Sequence, residues 1–117
     1  MPTLTEEKPW FRSWPADMPK TMHYPDISLH EILKKTAREH SEKTAIIFRD
    51  REISYGQLDE LSDKFAAALA SLGVRKGDRV AVFLPNIPQF IIAYYGVLKA
   101  GGVVTAISPL HKEREVE

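Results

Sequence analysis

An α/β fold built around one βαβ unit is what this sequence predicts, on three observations. The run Arg79–Leu84 (RVAVFL) is apolar without alternation, the pattern of a strand buried on both faces. Residues Ile87–Ala100 are apolar nearly all round at helical spacing and are closed by Gly101-Gly102. Val103–Ile107 is a second apolar strand, and strand, helix, strand in that order implies parallel strands joined by a right-handed crossover.

Around that unit the chain divides at residue 26. Residues 1–26 hold five of the eight prolines together with Trp10, Phe11, Trp14 and Tyr24, without helical or strand periodicity. They read as an extended strap whose aromatic side chains dock on an apolar surface, of this chain in preference to a partner. From Ile27 the signals become regular. Ser28 and Glu31 form a capping box and Ile27 with Ile32 a hydrophobic staple, so a helix runs from Leu29 to about His40. Its stripe of Leu29, Ile32, Leu33 and Ala37 packs on one side. Thr44–Phe48 and Glu52–Ser54 read as a small hairpin, and because the turn lacks glycine a loop longer than two residues is expected.

Ser54 and Gln57 repeat the capping box, and Leu58, Leu61, Phe65, Leu69 and Leu72 continue at helical spacing to Gly73, the position of a left-handed helix stop. Lys76-Gly77-Asp78 turns into the first strand of the βαβ unit. Asn86 is expected to cap the following helix, with Pro88 in its first turn. After Ser108-Pro109-Leu110, the sequence HKEREVE reads as the start of another surface helix. An all-round apolar helix and two apolar strands need more cover than these elements supply. Residues 27–117 are therefore expected to be the first part of a larger, truncated domain with an incomplete parallel sheet and packed helices.

Composition narrows the function classes. Sixteen basic and sixteen acidic side chains cancel over 117 residues, leaving no global basic field for nucleic acid. The absence of cysteine excludes disulfides, thiolate metal sites and a cysteine nucleophile. The N-terminus has no export-signal pattern, and the most apolar run, Phe90–Leu98, is far shorter than the about 20 residues of a bilayer span. A soluble, cytoplasmic protein is expected.

Candidate chemistry fails on physical grounds. Gly96-Val-Leu-Lys-Ala-Gly101-Gly102 is the nearest approach to a phosphate-binding loop, but its glycines flank a helix end, where carbonyls point outward. His30-Glu31-Ile32-Leu33-Lys34 begins like a zinc helix and then places a cation where the second histidine belongs. His23, His30, His40 and His111 show no ligand spacing, Glu31, Glu39 and Glu42 fall on or near a solvated helix face, and Ser28 and Ser54 are accounted for by capping. The segment is assigned no catalytic, cofactor-binding or metal residue.

The order of the motifs carries more. Ile53-Ser54-Tyr55-Gly56-Gln57-Leu58, Val74-Arg75-Lys76-Gly77-Asp78-Arg79-Val80-Ala81, Leu84-Pro85-Asn86 and Gly96-Val97-Leu98-Lys99-Ala100-Gly101-Gly102 resemble the opening of adenylate-forming (AMP-binding) enzymes. Lys8-Pro9-Trp10 followed by Trp14-Pro15-Ala16-Asp17-Met18-Pro19 is similar to the strap that opens long-chain fatty acyl-CoA synthetases. Ser108-Pro109-Leu110 stands where that family carries Asn-Pro-Leu, and His111 replaces its frequent aromatic or hydroxyl residue.

The resemblance implies an acyl-CoA-synthetase-like N-terminal domain in a fatty acid CoA ligase. Such a parent converts acid and ATP to acyl-AMP and pyrophosphate, then transfers the acyl group to coenzyme A with release of AMP. It would use fatty acid, ATP, magnesium and coenzyme A, with a homodimer as a possible assembly. The segment itself is then scaffold that needs the rest of its own chain, inactive alone and binding none of these groups. Two other readings are a freestanding α/β interaction module without enzymatic activity and a regulatory remnant that binds full-length subunits.

Overall fold

The computed structural model describes residues 8–116, and the part of the expected strap before Lys8 lies outside them. Four helices, α1 (Leu29–Glu39), α2 (Tyr55–Ser71), α3 (Pro88–Lys99) and α4 (Glu113–Val116), alternate with strands β1 (Thr44–Phe48), β2 (Arg51–Ser54), β3 (Arg79–Phe83) and β4 (Val103–Ile107). Among the described residues the strands form two separate pairs, an antiparallel β1–β2 hairpin and a parallel β3–β4 ladder running from Arg79↔Val103 to Phe83↔Ile107. The βαβ unit is present, but the hairpin does not extend its sheet.

Local sequence explains most element ends. The Ser28 amide donates to the Glu31 carboxylate at 2.8 Å at the start of α1. At the start of α2 the Ser54 amide donates to Gln57 Oε1 at 2.9 Å, and the Gln57 amide donates to Ser54 Oγ at 3.2 Å. The end of α2 is a Schellman turn: Gly73 takes φ +94°, its N–H donates to the Ala70 carbonyl, and the Val74 N–H donates to the Leu69 carbonyl at 3.1 Å.

Four details differ from the sequence reading. The hairpin loop is a tight two-residue turn, Arg49-Asp50, with Phe48 paired to Arg51. Arg49 accepts a left-handed φ of 55°, a strain of about 1–2 kcal/mol, and lays its guanidinium over the Phe48 ring at 5.5 Å. The cap of α3 is Ile87 rather than Asn86, because the residue before Pro88 is held extended and Pro88 is already helical. The third departure concerns β3, which is covered on one face only: Val82 is buried and Val80 half-buried beneath the helices, while Arg79, Ala81 and Phe83 are exposed. No second layer lies across that face among the described residues.

The strap is the fourth. Pro9–Ser13 form a 3-10 turn, favoured by proline in its first turn and ended at Trp14, which the following Pro15 holds extended. Its rings pack on one another, Phe11 edge-on to both Trp10 (6.3 Å) and Trp14 (5.6 Å). The expected docking on the body is not seen, and Trp10 stays 55% exposed.

The core lies between the helices and the parallel pair. Leu69 of α2, Val82 of β3, and Ala93 and Val97 of α3 form its buried centre, ringed by Phe65, Val74, Val80 and Phe90. At Gly96 the helices α2 and α3 meet so closely that an added Cβ would stand 2.5 Å from Phe65 Cδ1.

Candidate functional site at the carboxyl ends of the parallel strands

Parallel strands direct ligands to the crevice beyond their carboxyl ends. Beyond β3 and β4 lies a shallow hollow of about 580 Å³, walled by Leu84, Phe90, Ile107 and Pro109, with Asn86 and His111 at its rim. Pro85 ends β3 and Pro109 follows β4, so both chains turn away and leave the hollow between them. The Ser108 hydroxyl accepts the Leu110 amide at 3.2 Å, which fixes the turn that carries His111. This arrangement offers apolar walls and three polar side chains, those of Asn86, Ser108 and His111. No carboxylate lines it.

Three of the residues weighed for chemistry, Ser28, His30 and Glu31, are engaged in the cap of α1. His30 Nε2 lies 3.2 Å from Ser28 Oγ, within the cap of α1, and Glu31 accepts from both the amide and the hydroxyl of Ser28. Those two hydrogen bonds, that from the hydroxyl first, hold the Glu31 carboxyl below its ordinary pKa. Burial, with smaller contributions from Tyr94 and Tyr55, pushes the Tyr95 phenol up.

The glycines do not form a phosphate cradle. The Gly101 amide donates to Leu98, the Gly102 amide to Val97 and the Gly77 amide to Gly101, each at 2.9–3.0 Å, so these N–H groups close the helix end and tie the Lys76–Asp78 turn to it. Among the described residues no three His, Asp or Glu side chains come together as a group of metal ligands. Asp59 and Asp63 instead hold a lysine.

That lysine is what the sequence reading missed. Lys99 is 7% exposed in its side chain and donates to Asp63 Oδ1 at 2.8 Å, to the Asp59 carbonyl at 3.0 Å and to the Asp59 carboxylate. It joins the end of α3 to the first half of α2, beside the fully buried Ser62, whose hydroxyl donates to the same Asp59 carbonyl. The signal was available: a single cation in an apolar helix, and two aspartates at i, i+4 on the neighbouring one.

The family described as "AMP-binding enzyme" matches residues 33–117. The chain is 42% identical over 97% of its length to a long-chain-fatty-acid–CoA ligase of Bacillus subtilis, and spans 20% of that relative. Among solved structures, MbtA of Mycobacterium smegmatis superimposes with a TM-score of 0.74 at 40% identity, covering 80% of this chain and 18% of MbtA. The anthranilate CoA ligase AuaEII, in complex with anthranoyl-AMP, gives 0.73 at 27% identity, covering 81% and 19%. The chain thus spans about a fifth of the length of the relatives it matches. With the family model matching residues 33–117, the chain belongs to the family of AMP-binding enzymes.

Proposed function

We propose that residues 1–117 are the N-terminal scaffold of an ATP-dependent fatty acid CoA ligase, a cytoplasmic enzyme that joins a fatty acid to AMP with loss of pyrophosphate and then to the thiol of coenzyme A. The observation that carries this reading is the 42% identity to a long-chain-fatty-acid–CoA ligase across nearly the whole chain, strap included. The hollow beyond β3 and β4 would contribute one wall to a site completed by other parts of the protein. Magnesium, ATP and coenzyme A would be held by those other parts, since the Gly77, Gly101 and Gly102 amides and the Asp59 and Asp63 carboxylates of this segment are already engaged.

A second reading, activation of an aromatic acid, is favoured by the likeness to an enzyme bound to anthranoyl-AMP. Acid-dependent ATP–pyrophosphate exchange separates the two. The product of the complete reading frame containing these residues should exchange fastest with a saturated long-chain fatty acid, and residues 1–117 alone should give none. Faster exchange with anthranilate would favour the second reading. Exchange by residues 1–117 alone would overturn the assignment of this segment to scaffold.

A further inference from the structure

We infer that the groove between the β1–β2 hairpin and helices α2 and α3 binds an amphiphilic carboxylate, with its head at Arg49 and Arg51 and its chain on the apolar floor. Such a site goes beyond the proposed ligase activity, because it shares no lining residue with the hollow beyond β3 and β4 and its occupancy needs neither ATP nor coenzyme A.

Strand alternation sets the floor. Ile46 pairs with Ile53 and Phe48 with Arg51, so these four side chains share the face of the hairpin turned to the helices. Leu61 of α2 and Ile92 of α3 lie opposite them, and the space between is an open hollow of about 870 Å³, within the size range of ligand pockets. The floor is uncovered, with Leu61 39% exposed.

The hairpin end of the groove is cationic. Asparagine or glycine would take the left-handed φ of 55° at Arg49 with less strain than arginine does. What arginine adds is its guanidinium, which lies over the Phe48 ring at 5.5 Å, a stacking that leaves its N–H edge for a ligand. Among the described residues neither Arg49 nor Arg51 enters an ion pair.

Three acids also border the groove, and two of them are committed elsewhere. Glu60 is paired with Lys64 at 2.9 Å. Glu52 stands opposite Ile47, on the other face of the hairpin from Phe48 and Arg51, and accepts from the Thr44 hydroxyl at 3.2 Å. That leaves Asp50 at the tip against two guanidinium groups, a surplus of one positive charge. A carboxylate matches that surplus, and the guanidinium fork takes its two oxygens together.

Calorimetric titration of residues 1–117 with decanoate, kept below its micelle range, tests the site. Saturable binding is expected, with decanol, which has the chain without the charge, about tenfold weaker. Arg49→Asn should weaken decanoate about tenfold, leave decanol unchanged, and keep or raise the urea midpoint, because asparagine accepts the same φ. Arg51→Thr, at an exposed strand position, should weaken decanoate alike, and it carries the question if Arg49→Asn does not fold. Absent binding, or decanol binding equal to that of decanoate, overturns the proposal. So does binding that the folded variants leave unchanged, the result expected if decanoate settles on the open sheet face around Phe83. Sedimentation with phosphatidylglycerol vesicles in place of decanoate binding would assign the two arginines to a lipid headgroup, and overturns it as well.

Discussion

One βαβ unit here has a finished side and an unfinished one. On the side of α2 and α3 the packing is close: Val97 is wholly buried, Gly96 lies against the Phe65 ring and Lys99 is clasped by two aspartates. Across the sheet, Phe83 is 54% and Val103 48% exposed, with Ala81 and Thr105 open beside them. The same kind of residue, apolar and β-favouring, serves both sides. What differs is whether this chain supplies the opposing layer, and a chain spanning a fifth of its relatives' length supplies one layer of helices. Substitutions on the two sides should therefore have very different effects.

The largest loss is expected at Lys99. Lys99→Met keeps the apolar stem but leaves the Asp59 and Asp63 carboxylates facing one another with no cation. Breaking a buried pair costs about 3–5 kcal/mol, and because Asp63 is half exposed to water a smaller loss, about 2–3 kcal/mol, is expected. The urea midpoint of the variant measures it. The triple variant Asp59→Asn/Asp63→Asn/Lys99→Met should recover most of the loss, since like-charge repulsion is then gone. A triple variant as unstable as Lys99→Met would show that the lysine's packing, not its charge, joins the helices.

Gly96→Ala comes next. The added Cβ would meet the ring and Cβ of Phe65 at 2.5 and 3.0 Å, and Phe65 is itself packed against the core, so the ring cannot swing clear without opening the seam. Overpacking of this kind costs about 1–3 kcal/mol. Phe65→Leu introduced beside Gly96→Ala should return part of it by yielding space.

How far the sequence foretold these two sides follows from the range of the forces involved. The caps at Ser28 and Ser54 and the stop at Gly73 were legible because each is closed by hydrogen bonds within a few residues. The βαβ order was legible because strand and helix periods differ. Single-faced burial of β3 was not, since Val80–Leu84 is patterned for two covering layers and the sequence cannot say which of them this chain contains. The Arg49 turn escaped because its strain is offset by a local cation–ring contact and by the hairpin pairing, neither of which composition reveals. At the hollow beyond β3 and β4, the Leu84-Pro85-Asn86 and Ser108-Pro109-Leu110 motifs were legible, but their approach to one another is tertiary. Lys99 was read as the end of an apolar run, because its partners lie 36 and 40 residues away.

The cap of α1 is exposed yet held by local hydrogen bonds. Glu31 titrates below its ordinary value because Ser28 donates to its charged form, so it contributes stability that is fully present above the ordinary carboxylate range and fades as pH falls through its lowered folded value. Ser28→Ala removes the hydroxyl donor. Native and variant chains should differ in urea midpoint at neutral pH and converge in acid, below the range where carboxylates titrate. A difference that persisted unchanged into acid would assign the cap's contribution to something other than the Glu31 charge.

The smallest effect is expected where the sequence looks most core-like. Phe83 lies in an apolar strand, and in a complete two-layered sheet Phe83→Lys would bury a charge at a cost of several kcal/mol. Here the side chain is more than half exposed and faces solvent, so the substitution should stay within about 0.5 kcal/mol, the usual range for surface positions. It should also weaken hydrophobic-dye binding by removing the largest ring from the open face. The contrast becomes a measurement when the substitution is repeated in the complete parent protein. A loss there that is absent in residues 1–117 would show that the face is covered by a layer from beyond this segment. A loss of equal size in both would show that residues 1–117 already shield Phe83, and that the sheet's two sides are more alike than their exposure indicates.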